Sequence, residues 1–558
     1  MQYCLSVFAG LWLWSGLVFW SPSAMALVDM KTANYAQSWT DIELPSAANQ
    51  FKMKIERTYN SRSLYEGMFG FGWCSSFETK IEVTPEGSIR LTECGAGQEV
   101  LYMAHESSRK DIDNTINQII PKLRESKKFD DKGLHNLAED LITNHKLRTR
   151  YANEFKIRVE PKDGVQYLAN GREVESFSYA KGVFTRKMPG GTQMRFNRDG
   201  KLTQLTDSAG NFLKLDYEKD ALQEITDNNG RKFSFKYYNN KKVKTINGPN
   251  ANAEYKFEGL VDLVSVKNQW GNVYTYDYDD EHNLTKVTYP DKTFVKLDYN
   301  KEKDWVIRFL DRDKCVEDYA YEMDPAEPKL HYWSTVKKVC NSQVVTESKH
   351  EFVHKKRSDG QIYLQKVVST VDGNVTEVLY HEIFGKPISV RRNADATNYE
   401  YYPNGLVKIK SSAAIRQLFK YETRFNKVSE VTTTFLNAKG KKVSSKESFF
   451  EYDKHGNISL ARNSDGQKVT MTYDDRGRVK TMLDQAKKIM KVEYEERFGK
   501  PSVITRPGLG TIKVSYKGTG EIDKVNSGEG GSVAMQVASI FNNLLEILSP
   551  ATPEVYTQ

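Results

Sequence analysis

Alternating apolar and polar residues, as in "FLKLDY", recur from residue 196 almost to the end of the chain. This period of two predicts β-strands with one buried face. The predicted strands end on aromatic residues, which follow one another every 20 or 21 residues in the first series. The aromatic positions are Phe196, Tyr217, Tyr237, Phe257, Tyr278, Tyr299 and Tyr319, and then, after a less regular stretch, Tyr380, Tyr401, Tyr421, Tyr452, Tyr473, Tyr494 and Tyr516.

Turn signals separate the strands. "NRDGKL", "DNNGRK", "DKHGNI" and "DDRGRV" combine Asp or Asn, which bond their own backbone, with Gly, which supplies a positive φ. Each unit is therefore predicted to be a β-hairpin repeat. Residues 196–516 would hold about 30 strands, a sheet about 150 Å wide at about 4.8 Å per strand. Because open sheets rarely exceed about ten strands, we expect a spiral or a barrel-like shell whose inner face lines an interior.

The repeats resemble a known family. "YDYDDEHNLTKVTYPDKT", "FEYDKHGNISLARNSDGQ" and "MTYDDRGRVKTMLD" are similar to the YD repeats of RHS (rearrangement hotspot) proteins. Residues 34–83, with "RTYNSRS" followed by "FGFGW", resemble the domain that precedes the repeats in bacterial RHS proteins. Together these resemblances cover most of residues 34–520. They imply a mainly β fold wound into a β-spiral shell, as in toxin carriers and in cell-surface adhesion proteins such as teneurins.

Within the N-terminal motif we predict turns at Gly70 and Gly72 and a core position for Trp73. The polar residues of the motif are predicted to make a buried contact that fixes the geometry of the strand and its loop; the alternative is a ligand site. These residues are Tyr59, Asn60 and Arg62.

The first 26 residues have the character of a secretory signal peptide. "CLSVFAGLWLWSGLVFW" is a largely apolar run without a charge, and "SPSAMA" after it supplies small residues before a predicted cleavage site at Leu27. The alternative is an uncleaved membrane anchor, since 17 residues lie at the lower limit for a span. We therefore expect an exported protein, located in the periplasm, on the outer surface or outside the cell.

Six regions follow from these patterns. They are a signal peptide (1–26), an RHS-type N-terminal β domain (27–106), a helical insert (107–153), connecting β-hairpins (154–195), the YD-repeat β-spiral (196–527), and a Gly-rich joint with a C-terminal helix and tail (528–558).

Two regions have helical periodicity. In the insert, one apolar face is formed by Ile112, Ile116, Ile119, Ile120 and Leu123. Pro121 is expected to kink or end that helix, and "GLHNLAEDLITNHKL" predicts a second helix. The insert is expected to pack on the N-terminal domain or cap the spiral, or else to dock a partner. In the tail, residues 533–548 are predicted to form an amphipathic helix that covers the end of the spiral.

Four cysteines remain after the predicted cleavage, because Cys4 lies in the signal peptide. An even number in an exported chain suggests disulfides. We favour the local pairs Cys74–Cys94 and Cys315–Cys340 among the three connectivities; free buried thiols are the alternative.

The motif His350-Glu351-x-x-His354 spells the zinc-protease pattern H-E-x-x-H. A zinc site requires a helix, because both histidines must reach one metal from one face. The flanking residues instead predict a strand, a turn and a strand. In a strand the two histidines stand about 13 Å apart and Glu351 points to the opposite face. We therefore interpret the motif as a coincidence and retain a zinc metalloprotease only as a remote alternative.

Composition adds little to this picture. The formal net charge of +8 and the mean hydropathy of -0.63 fit a soluble chain, and no motif supports nucleic-acid binding. We assign no catalytic, cofactor-binding or metal-binding residue and expect no enzyme. The favoured function is an exported cell-envelope or surface binding or adhesion component with a protein or glycan partner. The alternative is a carrier shell that encloses a separately encoded toxin or cargo polypeptide.

Overall fold

The structure, a computed structural model, is mainly β. The part of the chain that it describes contains 42 strands and three α-helices whose two ends are both defined. That part comprises residues 27–44, 51–94, 98–104, 109–157, 159–161, 163–169, 171–172, 174–357, 362–475, 477–495, 500–516 and 522–528, together with 530, 532–533, 535–537, 539–540 and 544.

The first strands form a small antiparallel sheet in the order β1-β2-β3-β6, beside the short hairpin β4–β5. Their bounds are β1 Leu27–Asp29, β2 Asn34–Glu43, β3 Lys54–Asn60, β4 Glu66–Gly67, β5 Gly70–Phe71 and β6 Trp73–Ser75. A 3-10 turn, Ser76–Glu78, follows β6. We call residues 27–78 the inner domain, because the remaining strands wrap around it.

All later strands belong to one antiparallel sheet in which each strand pairs with the next along the chain. The strands before the tyrosine repeats are β7 Lys80–Val83, β8 Ile89–Glu93, β9 Gln98–Ala104, β10 Gln166–Leu168, β11 Ser176–Ala180 and β12 Val183–Lys187.

The strands of the first repeat series are β13 Gln193–Phe196, β14 Leu202–Thr206, β15 Phe212–Glu218, β16 Ala221–Asp227, β17 Lys232–Tyr237, β18 Val243–Gly248, β19 Ala251–Glu258, β20 Asp262–Lys267, β21 Val273–Tyr278, β22 Leu284–Thr288, β23 Phe294–Asn300, β24 Trp305–Leu310 and β25 Val316–Met323. Those of the irregular stretch are β26 His331–Cys340, β27 Gln343–Lys356, β28 Ile362–Val371 and β29 Asn374–Tyr380.

The strands of the second series are β30 Pro387–Arg392, β31 Asp395–Tyr401, β32 Val407–Ser411, β33 Ile415–Tyr421, β34 Val428–Leu436, β35 Lys442–Tyr452, β36 Ile458–Asn463, β37 Lys468–Tyr473, β38 Val479–Asp484, β39 Ile489–Tyr494, β40 Pro501–Arg506, β41 Gly510–Tyr516 and β42 Ile522–Ser527.

The sheet begins as a tight curl. The amide of Ile81 in β7 donates to the carbonyl of Gly200, in the β13–β14 turn, at 2.9 Å, and Lys80 forms a bridge with Lys201. A side chain at Gly200 would place its Cβ 1.9 Å from the Ile81 oxygen, so this contact requires glycine. Among the described residues β42 pairs only with β41. The sheet is thus a spiral and not a closed barrel, which confirms the winding predicted from its width.

Successive coils touch through their turns. From β13 onward, the turns after odd-numbered strands form one rim, which we call the tyrosine rim, and the turns after even-numbered strands form the distal rim. The amide of Gly190, at the distal end of β12, donates to the carbonyl of Phe425 on the tyrosine rim at 3.2 Å. His455 Nδ1 on the tyrosine rim likewise lies 3.2 Å from the carbonyl oxygen of Ser208. The distal side of the first coil therefore abuts the tyrosine rim of the second.

A ladder of tyrosine hydrogen bonds holds neighbouring hairpins together. At Tyr217 the strand pairing shifts by one residue, so that Tyr217 pairs with Leu222, next to the bulge in β16. The hydroxyl of the next rung, Tyr237, donates to the carbonyl of Leu222 at 2.6 Å. The same bond, of 2.5–2.9 Å, is made by Tyr217, Tyr237, Tyr278, Tyr299, Tyr321, Tyr401, Tyr421, Tyr452, Tyr473, Tyr494 and Tyr516. A phenylalanine lacks the required hydroxyl, which explains why tyrosine recurs at the repeat period.

One predicted rung is wrong. Tyr319 donates to its neighbour Glu317, whereas Tyr321 makes the ladder bond to the Val306 carbonyl. Tyr299 pairs with Val306, seven residues further along, whereas Tyr278 pairs with Leu284, six residues further along. The longer β23–β24 turn therefore moves the next rung along the chain.

The interior of the spiral contains two apolar clusters. The first joins inner-domain side chains such as Trp73 to the concave face of β7 through β25. The second lies on β30 through β41 and includes Val537 and Leu544 of the tail. The described residues from Ser532 to Leu544 are helical, and Val537 and Leu544 are buried. The described residues of the predicted tail helix therefore pack on the concave face of the second series; residues 534, 538, 541–543 and 545–548 of that prediction lie outside the described part.

The insert contains three helices where the sequence predicted two. They are α1 Arg109–Glu125, α2 Asp131–Thr143 and α3 His145–Glu154, with their own apolar cluster. Helix α1 continues four residues beyond Pro121, so the proline does not end it. Asn144 accepts a hydrogen bond from the amide of Leu147, which caps a separate third helix. The insert packs on the β7–β8 turn, where Arg148 pairs with Glu86.

Candidate binding surface

A buried ion pair fixes the inner domain to the spiral. Arg57 in β3 donates from Nε to Asp41 Oδ2 at 2.8 Å and from Nη2 to the hydroxyl of Tyr276 at 2.6 Å. Tyr255 donates to the same carboxylate at 3.0 Å. The Arg57 guanidinium also lies 4.5 Å from the ring centre of Trp73, a cation–π contact.

The electrostatics of this cluster follow from its complete burial. Burial raises the pKa of the Asp41 carboxyl, and the hydrogen bonds and charge of Arg57 oppose that rise. Arg57 keeps its proton at every accessible pH. Both side chains are almost inaccessible to solvent, so the pair can position the inner domain but cannot meet a substrate. The sequence analysis missed both residues, since neither belongs to a recognisable spacing.

The residues predicted from the N-terminal motif differ in their burial and in their hydrogen bonds. Gly70 and Gly72 have positive φ, and Trp73 is fully buried, as predicted. Tyr59 is buried and accepts a hydrogen bond from the amide of Leu284 at 2.9 Å. Arg62, in contrast, is exposed, and it donates to a backbone carbonyl of the spiral. Asn60 accepts from the amide of Arg62. The motif is thus a joint between the inner domain and the sheet, and only Tyr59 fits the predicted buried contact.

His350, Glu351 and His354 lie on strand β27, as the flanking pattern predicted. His350 is hydrogen bonded to Ser348 and Ser369. Glu351 Oε1 instead lies 2.7 Å from His331 Nε2. Burial lowers the pKa of both His350 and His354. Within the described residues no cluster of three or more His, Cys, Asp or Glu side chains could hold a metal ion.

Both predicted disulfides are present. Cys74–Cys94 joins the end of the inner domain to the end of β8, and Cys315–Cys340 joins β26 to the turn before β25. The second disulfide ties down the tip of the hairpin that projects furthest in the irregular stretch.

That hairpin, β26–β27, is the first projecting hairpin. Ser348 in β27 pairs with Val371, the last residue of β28, so residues 343–346 extend beyond the neighbouring strand by about 13 Å. Val344 and Val345 on this extension are 52% and 50% exposed. A groove of about 510 Å³ lies where this extension passes the end of β28, between Thr346 and Asp372. Exposed β-branched residues along a projecting strand edge are typical of a surface that binds a partner.

The hairpin β34–β35 is the second projecting hairpin and lies on the same distal rim. Ser448 in β35 pairs with Asn463, the last residue of β36, so residues 442–446 extend beyond it by about 16 Å. Val443 is 67% exposed, and Phe435 is also exposed. Lys439, Lys441 and Lys442 surround this tip. The sequence showed only that the intervals between rungs lengthen here.

No helix of the described residues is both long enough and apolar enough to cross a membrane.

Comparison with known proteins gives two family matches. The family described as the RHS repeat matches residues 262–293, and a domain of unknown function, DUF6531, matches residues 26–102. No curated protein matches the chain.

Among solved structures, the chain is similar to the crystal structure of TcdB2-TccC3-TEV, with 11% identity over 95% of this chain and 29% of that one, at a TM-score of 0.40. It is also similar to the Tc holotoxin pore of Photorhabdus luminescens, with 10% identity over 87% of this chain and 30% of that one, at a TM-score of 0.28. A porin-like protein from Bacteroides uniformis shares 9% identity over 38% of this chain and 87% of that one, at a TM-score of 0.15. The chain spans less than a third of the length of the first two.

The RHS-repeat match falls on β20 to β22, where the tyrosine ladder is regular, and DUF6531 covers the inner domain together with the first strands of the sheet. The same hairpin, bulge and tyrosine bond recur on both sides of the matched unit. The chain therefore contains RHS/YD repeats.

Proposed function

We propose that the chain is an exported, non-enzymatic YD-repeat protein that binds a partner at the cell envelope or surface through its distal rim. The observation that carries this proposal is that the chain packs its own residues on the concave face of both repeat series. The inner domain occupies the concave face of the first series and the tail helix that of the second. The exposed apolar side chains of the first projecting hairpin then provide the surface for a partner.

The second candidate is a carrier shell for a separately encoded cargo, which the resemblance to RHS toxin carriers suggests. A cargo polypeptide would have to enter an interior whose concave face is already packed by the inner domain and the tail helix. It would have to displace the inner domain, which is held to the sheet by the hydrogen bonds of Arg57 with Tyr276 and of Asp41 with Tyr255. We therefore favour the binding function.

The test uses the purified chain from residue 27 onward, fluorescently labelled, and isolated cell envelopes from the producing cell. Replacing Val344 and Val345 by serine should weaken envelope binding at least tenfold. The matched control replaces Val273 and Ile307, which are exposed apolar residues on the outer face of β21 and β24, and should change binding less than twofold. Equal binding by all three proteins would contradict the proposal.

The carrier function makes a different prediction. Mass spectrometry of the purified, protease-treated protein would reveal a second, protected polypeptide in stoichiometric amount, and this result would replace our proposal. The remote protease reading is tested in the same preparation: one zinc per chain, lost together with peptidase activity in His350→Ala, would support it. Export itself is tested by N-terminal sequencing, which should find Leu27 as the first residue.

A further inference from the structure

Charge is distributed unevenly along the spiral. Residues 381–527 contain 28 Lys and Arg against 17 Asp and Glu, a net charge of +11. Because the whole chain has a formal charge of +8, the remainder carries -3. The net positive charge of the protein therefore lies entirely in the second repeat series.

Many of these cations lie on the distal rim. Seven exposed side chains stand at or beside the turns between β32 and β39, and none forms an ion pair with any residue that the structure describes. They are Arg416, Lys439, Lys441, Lys442, Lys468, Lys487 and Lys488, which we call the basic rim. Two acidic residues of the same rim are already neutralised, since Asp465 pairs with Lys446 and Asp484 with Arg506.

The distal rim of the first series differs. There Asp227 pairs with Arg231 within one turn, and Arg312 pairs with Asp291 of the neighbouring turn. Local ion pairs thus cancel the charge of those turns, so the basic rim is a property of the second series and not of the repeat itself.

The geometry of the basic rim indicates the shape of its ligand. Successive turns on one rim are two strands apart, about 10 Å, so the four turns span about 30 Å along the edge of the sheet. The cations do not converge on one point, which excludes a pocket for a compact anion. A line of separate charges suits a polymer that carries repeated negative charges. Exposed Phe435 and Val443 beside the lysines add apolar surface, which matches the C–H faces of sugar rings.

We propose that the basic rim binds an anionic polysaccharide that lies along the turns from β32 to β39. This inference rests on the proposed function, because it names the chemical class of the partner. Like charges without counterions repel one another, and the bound polyanion relieves that repulsion. The second projecting hairpin supplies three of the seven cations and is the centre of the surface.

The experiment measures binding of the purified chain from residue 27 onward to immobilised polygalacturonate, with neutral dextran as the reference, at low and at physiological salt. The test variant carries Lys439→Glu, Lys441→Glu and Lys442→Glu. The matched control carries Lys236→Glu, Lys256→Glu and Lys267→Glu on the outer face of the first series. Both variants change the net charge equally, and thermal melting verifies that both remain folded.

We expect the unmodified chain to bind polygalacturonate but not dextran, with an affinity that falls as salt rises. The test variant should lose at least tenfold in affinity and the control less than twofold. Equal losses in both variants would mean attraction by net charge alone and would overturn the proposal. So would a lack of binding by the unmodified chain, or binding to vesicles with anionic lipid in preference to the polysaccharide.

Failure of this inference can be separated from failure of the proposed function. If the valine variant of the first projecting hairpin loses envelope binding while polygalacturonate is not bound, the proposed function stands and the polysaccharide assignment falls. If a protected cargo is found, the proposed function falls whatever the polysaccharide assay gives.

Discussion

The concave face of the first repeat series is covered by a folded domain, whereas that of the second series is covered by one helix. The inner domain contributes aromatic rings, a buried ion pair and hydrogen bonds to the sheet, as at Arg57 with Tyr276 and Tyr59 with Leu284. The tail helix contributes Val537 and Leu544 to an apolar cluster that also contains Met471, Met482 and Met490. The first contact is directional and specific, whereas the described residues of the second make an apolar contact.

This difference shows that the concave face of one repeat type can be covered in two ways. The first filling is fixed by polar geometry that tolerates little displacement, and Cys74–Cys94 ties it covalently to β8. The second has flexible methionines, which adapt to an irregular partner. We therefore expect loss of the inner domain to prevent folding, and loss of the tail to leave a folded but weakened spiral.

The largest effect is expected from the buried ion pair. Asp41→Ala leaves the Arg57 guanidinium buried without a counter-charge, which should lower the free energy of unfolding by about 3–5 kcal/mol. Chemical denaturation measures this loss. The control Asp216→Ala removes an exposed partner of Lys214 and should change stability by less than about 0.5 kcal/mol. A loss below about 1 kcal/mol for Asp41→Ala would contradict the structural role of the pair.

The tail should show a smaller, local effect. Leu544→Ala removes a buried side chain from the second cluster. It should lower the free energy of unfolding, measured by chemical denaturation, by about 2–3 kcal/mol. This value is near the lower end of the range for such changes, because the helix can detach without unfolding the sheet. Limited proteolysis should then cut the tail faster. The control Met535→Ala, at a position 55% exposed, should leave both measurements unchanged.

Deleting residues 528–558 extends this test. The truncated spiral should remain folded but melt at a lower temperature or form oligomers, since the apolar face of the second series becomes exposed. A monomer with unchanged melting would show that the helix does not stabilise the repeats.

A pH effect is expected only from the inner-domain side of the comparison. Glu78 is half-buried, and desolvation raises its pKa to about 7, against hydrogen bonds from the amides of Met68 and Ser75. The folded state therefore holds a proton on Glu78 between about pH 4.5 and 7, where the unfolded chain has released it. This group stabilises the fold most below pH 4.5, and its contribution is lost as the pH rises through 7.

The measurement compares the free energy of unfolding of the unmodified chain and of Glu78→Gln from pH 5 to pH 8. The variant cannot titrate at this position, so the stability difference in favour of the unmodified chain should be larger at pH 5 than at pH 8. A difference independent of pH would show that the carboxylate is charged in the fold throughout.

Much of the fold followed from the sequence, because it depends on short-range chemistry. The period of two, the Asp–Gly turns and the rungs predicted hairpins, and the width of so many strands required winding. His350 and His354 were correctly placed on a strand for the same reason. The joint of Asp41 with Arg57 and Tyr276 could not be predicted, because its members are brought together only by the docking of the inner domain.

The projecting hairpins could not be predicted from the sequence either. The interval between Tyr421 and Tyr452 showed that a unit is longer, but a longer unit can add either a loop or longer strands. Strand length relative to the neighbouring hairpins is a property of register, which bulges such as that at Leu436 adjust locally. The correction of Tyr319 to Tyr321 also comes from register, since the longer β23–β24 turn places the acceptor Val306, and with it the rung, further along the chain.

The smallest effect should be the same in both series, and it concerns the tyrosine ladder. Tyr299 donates to the Leu284 carbonyl in the first series and Tyr473 to the Ile458 carbonyl in the second, at 2.9 and 2.8 Å. Each bond satisfies a carbonyl next to a bulge, so Tyr299→Phe and Tyr473→Phe should each cost about 1 kcal/mol. Tyr380→Phe is the matched control: its hydroxyl makes no hydrogen bond with any described residue, and the change should cost less than about 0.5 kcal/mol. Chemical denaturation of the three variants compares them directly.

Equal losses of stability for Tyr299→Phe and Tyr473→Phe would mean that the ladder belongs to the repeat, and that the inner domain and the tail helix are separate additions. A loss confined to Tyr299, which packs near the inner domain, would instead mean that the domain and not the ladder holds the hairpins in register.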